Sequence, residues 1–395
     1  MSSLVADLET AAQIGADEGG VTRFAWSPEL AQANAWLMDR LAELGMEPEL
    51  DPAGNVLGRW RTGEGKAVLL GSHLDTVPRG GRYDGALGVL AALEVVRRFR
   101  AEGVEPRRPL CLASFNDEEG SRFQTGMLGS RAFVGELELE DWKRRGVAGA
   151  MAEAGFDFAR LPEARGIDGV AAYLELHVEQ GPTLERSGTD LGVVTAITGM
   201  LGYRARFLGE ANHAGTTPME LRRDALVGAA RAVLALRDEA RAREDMTANV
   251  GVISAEPGGF NVVPGAAELT VDVRSPSPGG FERCHRFVRE TLAAIAAEEN
   301  LGLELVETHR KLPVALDGAL QDVLEEAARE EGASTVRMPS GAGHDAMVLA
   351  HHVPAAMLFV PSRGGISHSP EEFTSEHHCE LGARVLARAV RALVA

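Results

Sequence analysis

Thiols are scarce in this chain. Cys111, Cys284 and Cys379 are its three cysteines in 395 residues, widely spaced and without a C-x-x-C pair. That excludes a disulfide framework and a thiolate zinc site, and it suits a reducing compartment. No run approaches the ~18 consecutive apolar residues of a membrane span. The opening Met1-Ser2-Ser3-Leu4-Val5-Ala6-Asp7 has neither a basic stretch nor a long apolar one, so no signal peptide and a cytoplasmic location are expected. Lysine is also nearly missing. Lys66, Lys143 and Lys311 are the only three among 40 basic residues, a bias read as genome composition and not as a stability device. Against 58 acidic residues those 40 leave a net charge of -18, which argues against a nucleic-acid partner. An anionic substrate must therefore be met by individual arginines. Internal repeats and low-complexity linkers are absent too. What remains, with 45% hydrophobic and 25% charged residues, is an ordinary soluble globular composition long enough for two domains.

One stretch organises the rest. Ala67-Val68-Leu69-Leu70 is a short apolar run of the kind a buried strand makes, and it leads into Gly71-Ser72-His73-Leu74-Asp75-Thr76. His73 and Asp75 stand two apart at the strand's end, so their side chains share one face. A Gly- and Pro-rich turn follows, and Asp84 emerges from it ahead of a helix predicted over Gly88–Arg98. Imidazole and carboxylate oxygen are zinc ligands, and a second Asp can orient the His. Taken alone, His-x-Asp is equally compatible with a strand that ends in a polar loop.

Upstream, Ser27-Pro28-Glu29 is a helix start with Ser as N-cap, and Gly45 closes that helix. Strands are predicted around Val56–Trp60, Ala67–Leu70, Leu110–Phe115 and Ala171–Leu176. Alternating strands and helices imply an α/β sheet layered between helices, with ligands gathering beyond the carboxyl ends of the strands. Asn116-Asp117-Glu118-Glu119-Gly120 lies there, and so does His177. One of two adjacent glutamates can ligate a metal while the other takes a proton from the water it activates; a solvated acidic loop is the alternative. Residues 136–168 read as a polar, helix-prone surface excursion. From about Gly199 the order becomes β-α-β-β-α-β over roughly 110 residues, a split βαβ sandwich inserted into the first domain. After Leu312 the α/β pattern resumes and ends in an amphipathic helix.

Collected, the α/β part offers His73, Asp84, Glu119, His177 and His368, each at a strand end or in a Gly-rich loop. Five such ligands serve two metals if one carboxylate bridges them, and a bridged pair ~4 Å apart can clamp a water and polarise the carbonyl it attacks. Glu118 is left over.

At this point the chain closely resembles the metal-dependent amidohydrolases of the M20 peptidase-like superfamily. The branch is that of N-carbamoyl-L-amino acid hydrolases, allantoate amidohydrolases and β-ureidopropionases. The segments that carry the resemblance are Gly71-Ser72-His73-Leu74-Asp75-Thr76, Gly81-Arg82-Tyr83-Asp84-Gly85, Asp117-Glu118-Glu119-Gly120-Ser121-Arg122-Phe123, Glu175-Leu176-His177-Val178-Glu179-Gln180-Gly181-Pro182, Asn212-His213-Ala214-Gly215-Thr216-Thr217-Pro218-Met219 and Gly341-Ala342-Gly343-His344-Asp345-Ala346. They span nearly the whole chain. His177 in His-x-Glu-Gln-Gly-Pro separates this branch from the exopeptidases that resemble it.

The resemblance implies a bimetallic aminopeptidase-like α/β/α catalytic domain (residues 1–198 and 313–395) with an inserted ferredoxin-like lid and dimerisation domain (199–312). It implies two divalent ions, Zn2+ or Mn2+ with Co2+ also accepted, one on His73, Asp84 and His177 and the other on Asp84, Glu119 and His368. Glu118 matches the general base and Asp75 the residue that orients His73. His213 matches a carbonyl-polarising histidine that reaches the site across a homodimer, while Gln180, Asn261 and Arg274 match substrate-binding positions. A guanidinium is a two-pronged partner for a substrate carboxylate. The implied activity is hydrolysis of the carbamoyl C–N bond of a small ureido substrate, with acyl amides or peptides as the alternative. A ligand-binding protein without turnover is the reading from another class, and an intact Glu118 argues against it. His344 and Asp345 are read as shaping the loop or supporting the ligands from behind, and His309, His351, His352, His377 and His378 as surface residues.

Overall fold

The computed structural model describes residues 2–395. In chain order its main elements are α1 (Ser3–Gln13), α2 (Pro28–Glu43), β1 (Glu47–Leu50), β2 (Val56–Trp60), β3 (Ala67–His73), α3 (Ala86–Glu102), β4 (Leu110–Phe115), α4 (Leu128–Val134), α5 (Leu139–Arg144), α6 (Val147–Glu153), β5 (Val170–Val178), β6 (Leu191–Ile197), β7 (Gly199–Leu208), α7 (Ala225–Ala242), β8 (Thr247–Glu256), β9 (Ala266–Ser275), α8 (Pro278–Glu298), β10 (Gly302–Lys311), α9 (Gly318–Glu330), β11 (Thr335–Ser340), β12 (Ala355–Val360) and α10 (Glu376–Val394). They divide into two compact units, residues 1–195 with 316–395 and residues 196–315. Among the described residues no helix is long and apolar enough to cross a membrane.

The larger unit is built on a mixed sheet in which β6, β12, β5, β3, β4, β2 and β1 lie side by side in that order. Its centre is parallel: β12 runs with β5, β5 with β3, and β3 with β4. Such strands are covered on both faces, which is why all seven residues of β3 are buried. One face carries Val68, Leu70, Leu112, Leu174 and Leu358 against α1, α3, α9 and α10. On the other, Phe115 packs against Phe133 of α4 and against Tyr173. Parallel register has a functional consequence. His73 pairs with Phe115 and His177 with Phe359, so the carboxyl ends of β3, β4, β5 and β12 come to one edge.

Local signals act where the sequence places them. Ser27 caps α2 by accepting from Leu30 N (3.2 Å), with Pro28 as the first helical residue. Residues 136–168 are not a surface excursion, however. Trp142, Val147, Met151 and Leu161 are buried there with Leu128 and Ala132 of α4, making a satellite core under a polar exterior. Val147, Ala150 and Met151 do stand at helical spacing, but the charged residues around them give the segment a polar composition.

In the smaller unit β8, β9, β7 and β10 form an antiparallel sheet in that order. Tyr203, Ala205 and Phe207 alternate inward to meet α7 and α8 through Ala229, Leu236, Val288 and Leu292. The outer strands are sparsely covered: Val252 and Ile253 of β8 are 57% and 47% exposed.

Arg23 ties α1 to the end of β3. The side chain is 1% exposed; its Nε donates to Leu74 O (2.6 Å) and its Nη1 to Ala11 O (2.8 Å) and Ile14 O (3.1 Å). Burial lowers its pKa to about 10, which leaves it charged at neutral pH. Carbonyls at a helix C-terminus lack intrahelical partners, so this cation serves as the cap. Arg23→Met keeps the apolar stem and strands two buried acceptors, Leu74 O and Ile14 O, while Ala11 O still accepts from Ile14 N (3.2 Å). The expected cost is about 3 kcal/mol, measured by urea denaturation. A loss below about 1 kcal/mol would show that water replaces the guanidinium.

Candidate metal centre

Five elements of the larger unit deliver side chains to the shared strand edge. His73 is the last residue of β3 and His177 the penultimate residue of β5. Glu118 and Glu119 follow β4, Asp84 stands two residues before α3, and His368 lies in the segment between β12 and α10. Asp84 is the common partner. Its Oδ1 is 3.2 Å from His177 Nε2 and 3.7 Å from His73 Nε2, while its Oδ2 is 3.3 Å from His368 Nε2. His368 Nε2 also lies 3.5 Å from Glu119 Oε2. Two groups of potential ligands result, His73 with Asp84 and His177, and Asp84 with Glu119 and His368; in each, one atom per residue lies within 4.8 Å of the others. Glu118 belongs to neither, and its Oε2 stands 3.6 Å from His73 Nε2.

Supporting contacts fix these side chains from behind. Asp75 accepts from Glu118 N and Glu119 N (3.2 Å each), and His73 Nδ1 donates to Asp75 O (2.9 Å). His177 Nδ1 likewise donates to Val178 O (2.9 Å), which turns Nε2 toward the cluster, where Gly85 N lies 3.2 Å from it. Glu372 accepts from the backbone N–H groups of Tyr83 and Asp84 (3.0 Å each), and Ser367 Oγ bridges Glu372 and Asp84. Gly85 (φ 63°) is required, because a Cβ there would stand 2.4 Å from atoms of the His73 ring. His368, Gln180 and Asp117 hold φ values of 54°, 58° and 58°, a left-handed conformation uncommon outside glycine and associated with functional loops.

Charge balance shows what the cluster suits. Burial, and then the neighbouring Asp345 and Glu119 carboxylates, push Glu118 well above the usual carboxylate range. Burial and Asp84 raise Glu119 to about 8. Against its own burial, His177 is raised to about 9 by its hydrogen bond to Asp84, and a hydrogen bond to Asp84 raises His368 to about 9 as well. Asp84 is buried too, yet contacts with His177 and His368 hold it well below the ordinary value. The cluster thus retains protons at neutral pH in places where a cation would neutralise the same charge. Divalent cations fit this oxygen-and-imidazole set, and the donor set alone does not select among Zn2+, Mn2+ and Co2+.

The remaining sequence-derived residues are placed as follows. Gln180 turns its amide to Asp84 Oδ2 (2.9 Å) and His368 Nε2 (3.3 Å). His344 is buried beneath the cluster, its ring centroid 4.5 Å from that of His177 and its Nε2 2.9 Å from Ser340 Oγ. Asp345 is fully buried beside it. His213, Asn261 and Arg274 lie in the smaller unit. The exposed His213 accepts at Nδ1 from Gly215 N (3.1 Å) and Thr216 N (3.2 Å), so its neutral ring carries hydrogen on Nε2. Exposed Asn261 is drawn next to it by Ala214 N, which donates to Asn261 O (2.9 Å). Arg274 meets Asp272 through Nε (2.9 Å) and Nη2 (3.2 Å). Glu372 and Ser367 were not assigned from sequence, since Ser367-His368-Ser369-Pro370-Glu371-Glu372 gives no sign of which side chain turns inward.

Comparison with known proteins accords with this geometry. The sequence profile described as peptidase family M20/M25/M40 matches residues 69–392. An N-carbamoyl-L-amino acid amidohydrolase of Geobacillus stearothermophilus is 39% identical over 93% of this chain and 92% of its own. An allantoate amidohydrolase of Bacillus subtilis is 38% identical over 98% and 96%. The crystal structure of a hydantoinase/carbamoylase family amidase from Burkholderia multivorans superposes with a TM-score of 0.91 at 35% identity, covering 99% of this chain and 97% of that one. The chain therefore belongs to peptidase family M20/M25/M40 and stands among its amidohydrolases.

Proposed function

We propose that the chain hydrolyses the carbamoyl C–N bond of a small ureido substrate bearing a carboxylate, an N-carbamoyl-L-amino acid or allantoate. The observation that carries this reading is the pair of ligand groups joined through Asp84, with Glu118 beside them and outside both. His73, Asp84 and His177 would hold one divalent ion, and Asp84, Glu119 and His368 the other. Ions so bound supply Lewis acidity, which lowers the pKa of water toward neutrality and polarises a carbonyl. Glu118 takes a proton from the attacking water and returns it to the leaving nitrogen. Burial and neighbouring carboxylates raise its proton affinity, as that return requires. Asp75 positions both Glu118 and Glu119 through their backbone N–H groups and steadies His73. We assign His213 to the oxyanion, since its Nε2 carries the hydrogen to donate. Arg274, Asn261 and Gln180 are assigned to the rest of the substrate. The working unit is proposed to be a homodimer; the exposed apolar residues of outer strand β8 support a paired edge there.

Glu118→Gln is expected to keep its metal content and lose about 10²–10⁴-fold in kcat. If metal content falls in step with activity, Glu118 is a ligand and the two glutamates have exchanged roles. The substrate class is read from product analysis on N-carbamoyl-L-amino acids, allantoate, N-carbamoyl-β-alanine, N-acetyl amino acids and dipeptides. Ureido compounds are expected to lead in kcat/KM, and a preference for acyl amides or peptides would replace this reading with an aminoacylase or dipeptidase. Mixing His213→Ala with Glu118→Gln under subunit exchange is expected to restore about a quarter of wild-type activity, since half the dimers are mixed and one of their two sites is whole. No recovery despite demonstrated exchange would mean that His213 serves its own subunit or is structural.

A further inference from the structure

Away from the centre described above, the larger unit brings Asp190, His377 and His378 together, with one potential ligand atom from each lying within 4.8 Å of the others. Asp190 immediately precedes β6, and the two histidines occupy the first turn of α10, which Ser375 caps. Two of the three side chains are held from behind. Ser334 N and Ser334 Oγ both donate to Asp190 Oδ2 (2.8 and 2.6 Å), and Asp190 Oδ1 is the oxygen nearest His378. Ser375 Oγ lies 2.8 Å from His378 Nδ1. With hydrogen on Nδ1 the ring donates to that hydroxyl and keeps the Nε2 lone pair, which is how imidazole ligands are commonly oriented. His378 Nε2 stands 4.0 Å from Asp190 Oδ1. That separation is too long for a hydrogen bond, and a rotamer adjustment of these partly exposed side chains brings it to the ~3.4 Å that separates tetrahedral ligands ~2.1 Å from one ion. The His377 and His378 ring centroids are 5.3 Å apart. The Asp190 and His378 side chains remain 35% and 27% exposed, so an ion can enter from solvent.

We propose that Asp190, His377 and His378 form a separate peripheral site for a borderline divalent transition-metal ion such as Zn2+. Two imidazoles and one carboxylate, with open positions for water, suit Zn2+ rather than Ca2+ or Mg2+, which take all-oxygen sets. Metal there clips the first turn of α10 to the residues entering β6. It thereby fastens the downstream end of the segment 361–375, whose middle carries His368. The site is independent of the hydrolytic reading, because none of its ligands belongs to the centre at Asp84.

The test is equilibrium dialysis of the fully metal-loaded protein against micromolar Zn2+, with metal counted by mass spectrometry. Wild type is expected to retain one equivalent more than His377→Ala/His378→Ala. Asp190→Asn is expected to bind that equivalent about ten-fold more weakly, with kcat/KM unchanged in all variants. The readout is a difference between wild type and variants, so it does not depend on how many ions the other centre holds. Equal stoichiometry in wild type and the double variant would overturn the site. Undiminished affinity in Asp190→Asn would overturn the three-ligand assignment.

Discussion

The site depends on a single carboxylate. Asp84 turns one oxygen to His73 and His177 and the other to His368, so both ligand groups share it and neither is complete without it. Sharing works only if the side chain cannot rotate. Glu372 holds the backbone N–H groups on either side of the Tyr83–Asp84 bond, and Ser367 and Gln180 both donate to the second oxygen. The Glu372 and Ser367 contacts join the turn before α3 to the segment after β12, nearly three hundred residues apart by chain number. Parallel strand order supplies the remainder, by delivering the ends of β3, β4 and β5 to the same edge.

Proton and metal compete for this cluster. Burying several carboxylates together is unfavourable unless positive charge accompanies them. Imidazoliums at His177 and His368 and protons on the glutamates meet that need in the protein alone, and divalent ions meet it with fixed geometry. Asp75 and Glu372, buried and anchored to backbone N–H groups, stand behind the ligands and govern how much the cluster can relax.

Much of this was legible in the sequence because the ligands sit at strand ends, where a short apolar run followed by His, Asp or Glu is a local signal. His73, Glu118, Glu119 and His177 are of that kind. The β-α-β-β-α-β order was legible for the same reason, since its elements are long and periodic. Glu372 and Ser367 were not, because an inward turn inside an irregular segment is decided by tertiary contacts. The satellite core around Trp142 was hidden by its polar neighbours, whereas α1 was legible and not predicted, with Leu4, Leu8 and Ala11 on one face behind a Ser2 cap. His377 and His378 read as ordinary surface residues; only the fold sets Asp190 beside them.

The two ligand groups differ in their access to water. His73, Asp84 and His177 are enclosed by protein, whereas the side chain of His368 is 50% exposed. On the proposed reading the ions would then be unequal in lifetime more than in coordination. The enclosed ion would exchange only as the sheet edge loosens, while the outer one would exchange more readily, because release of the exposed His368 leaves it on Asp84 and Glu119 alone. The outer position is the one through which the protein would gain or lose metal as supply varies. Occupancy of that position, rather than of both together, would set how much of the protein is active in a cell.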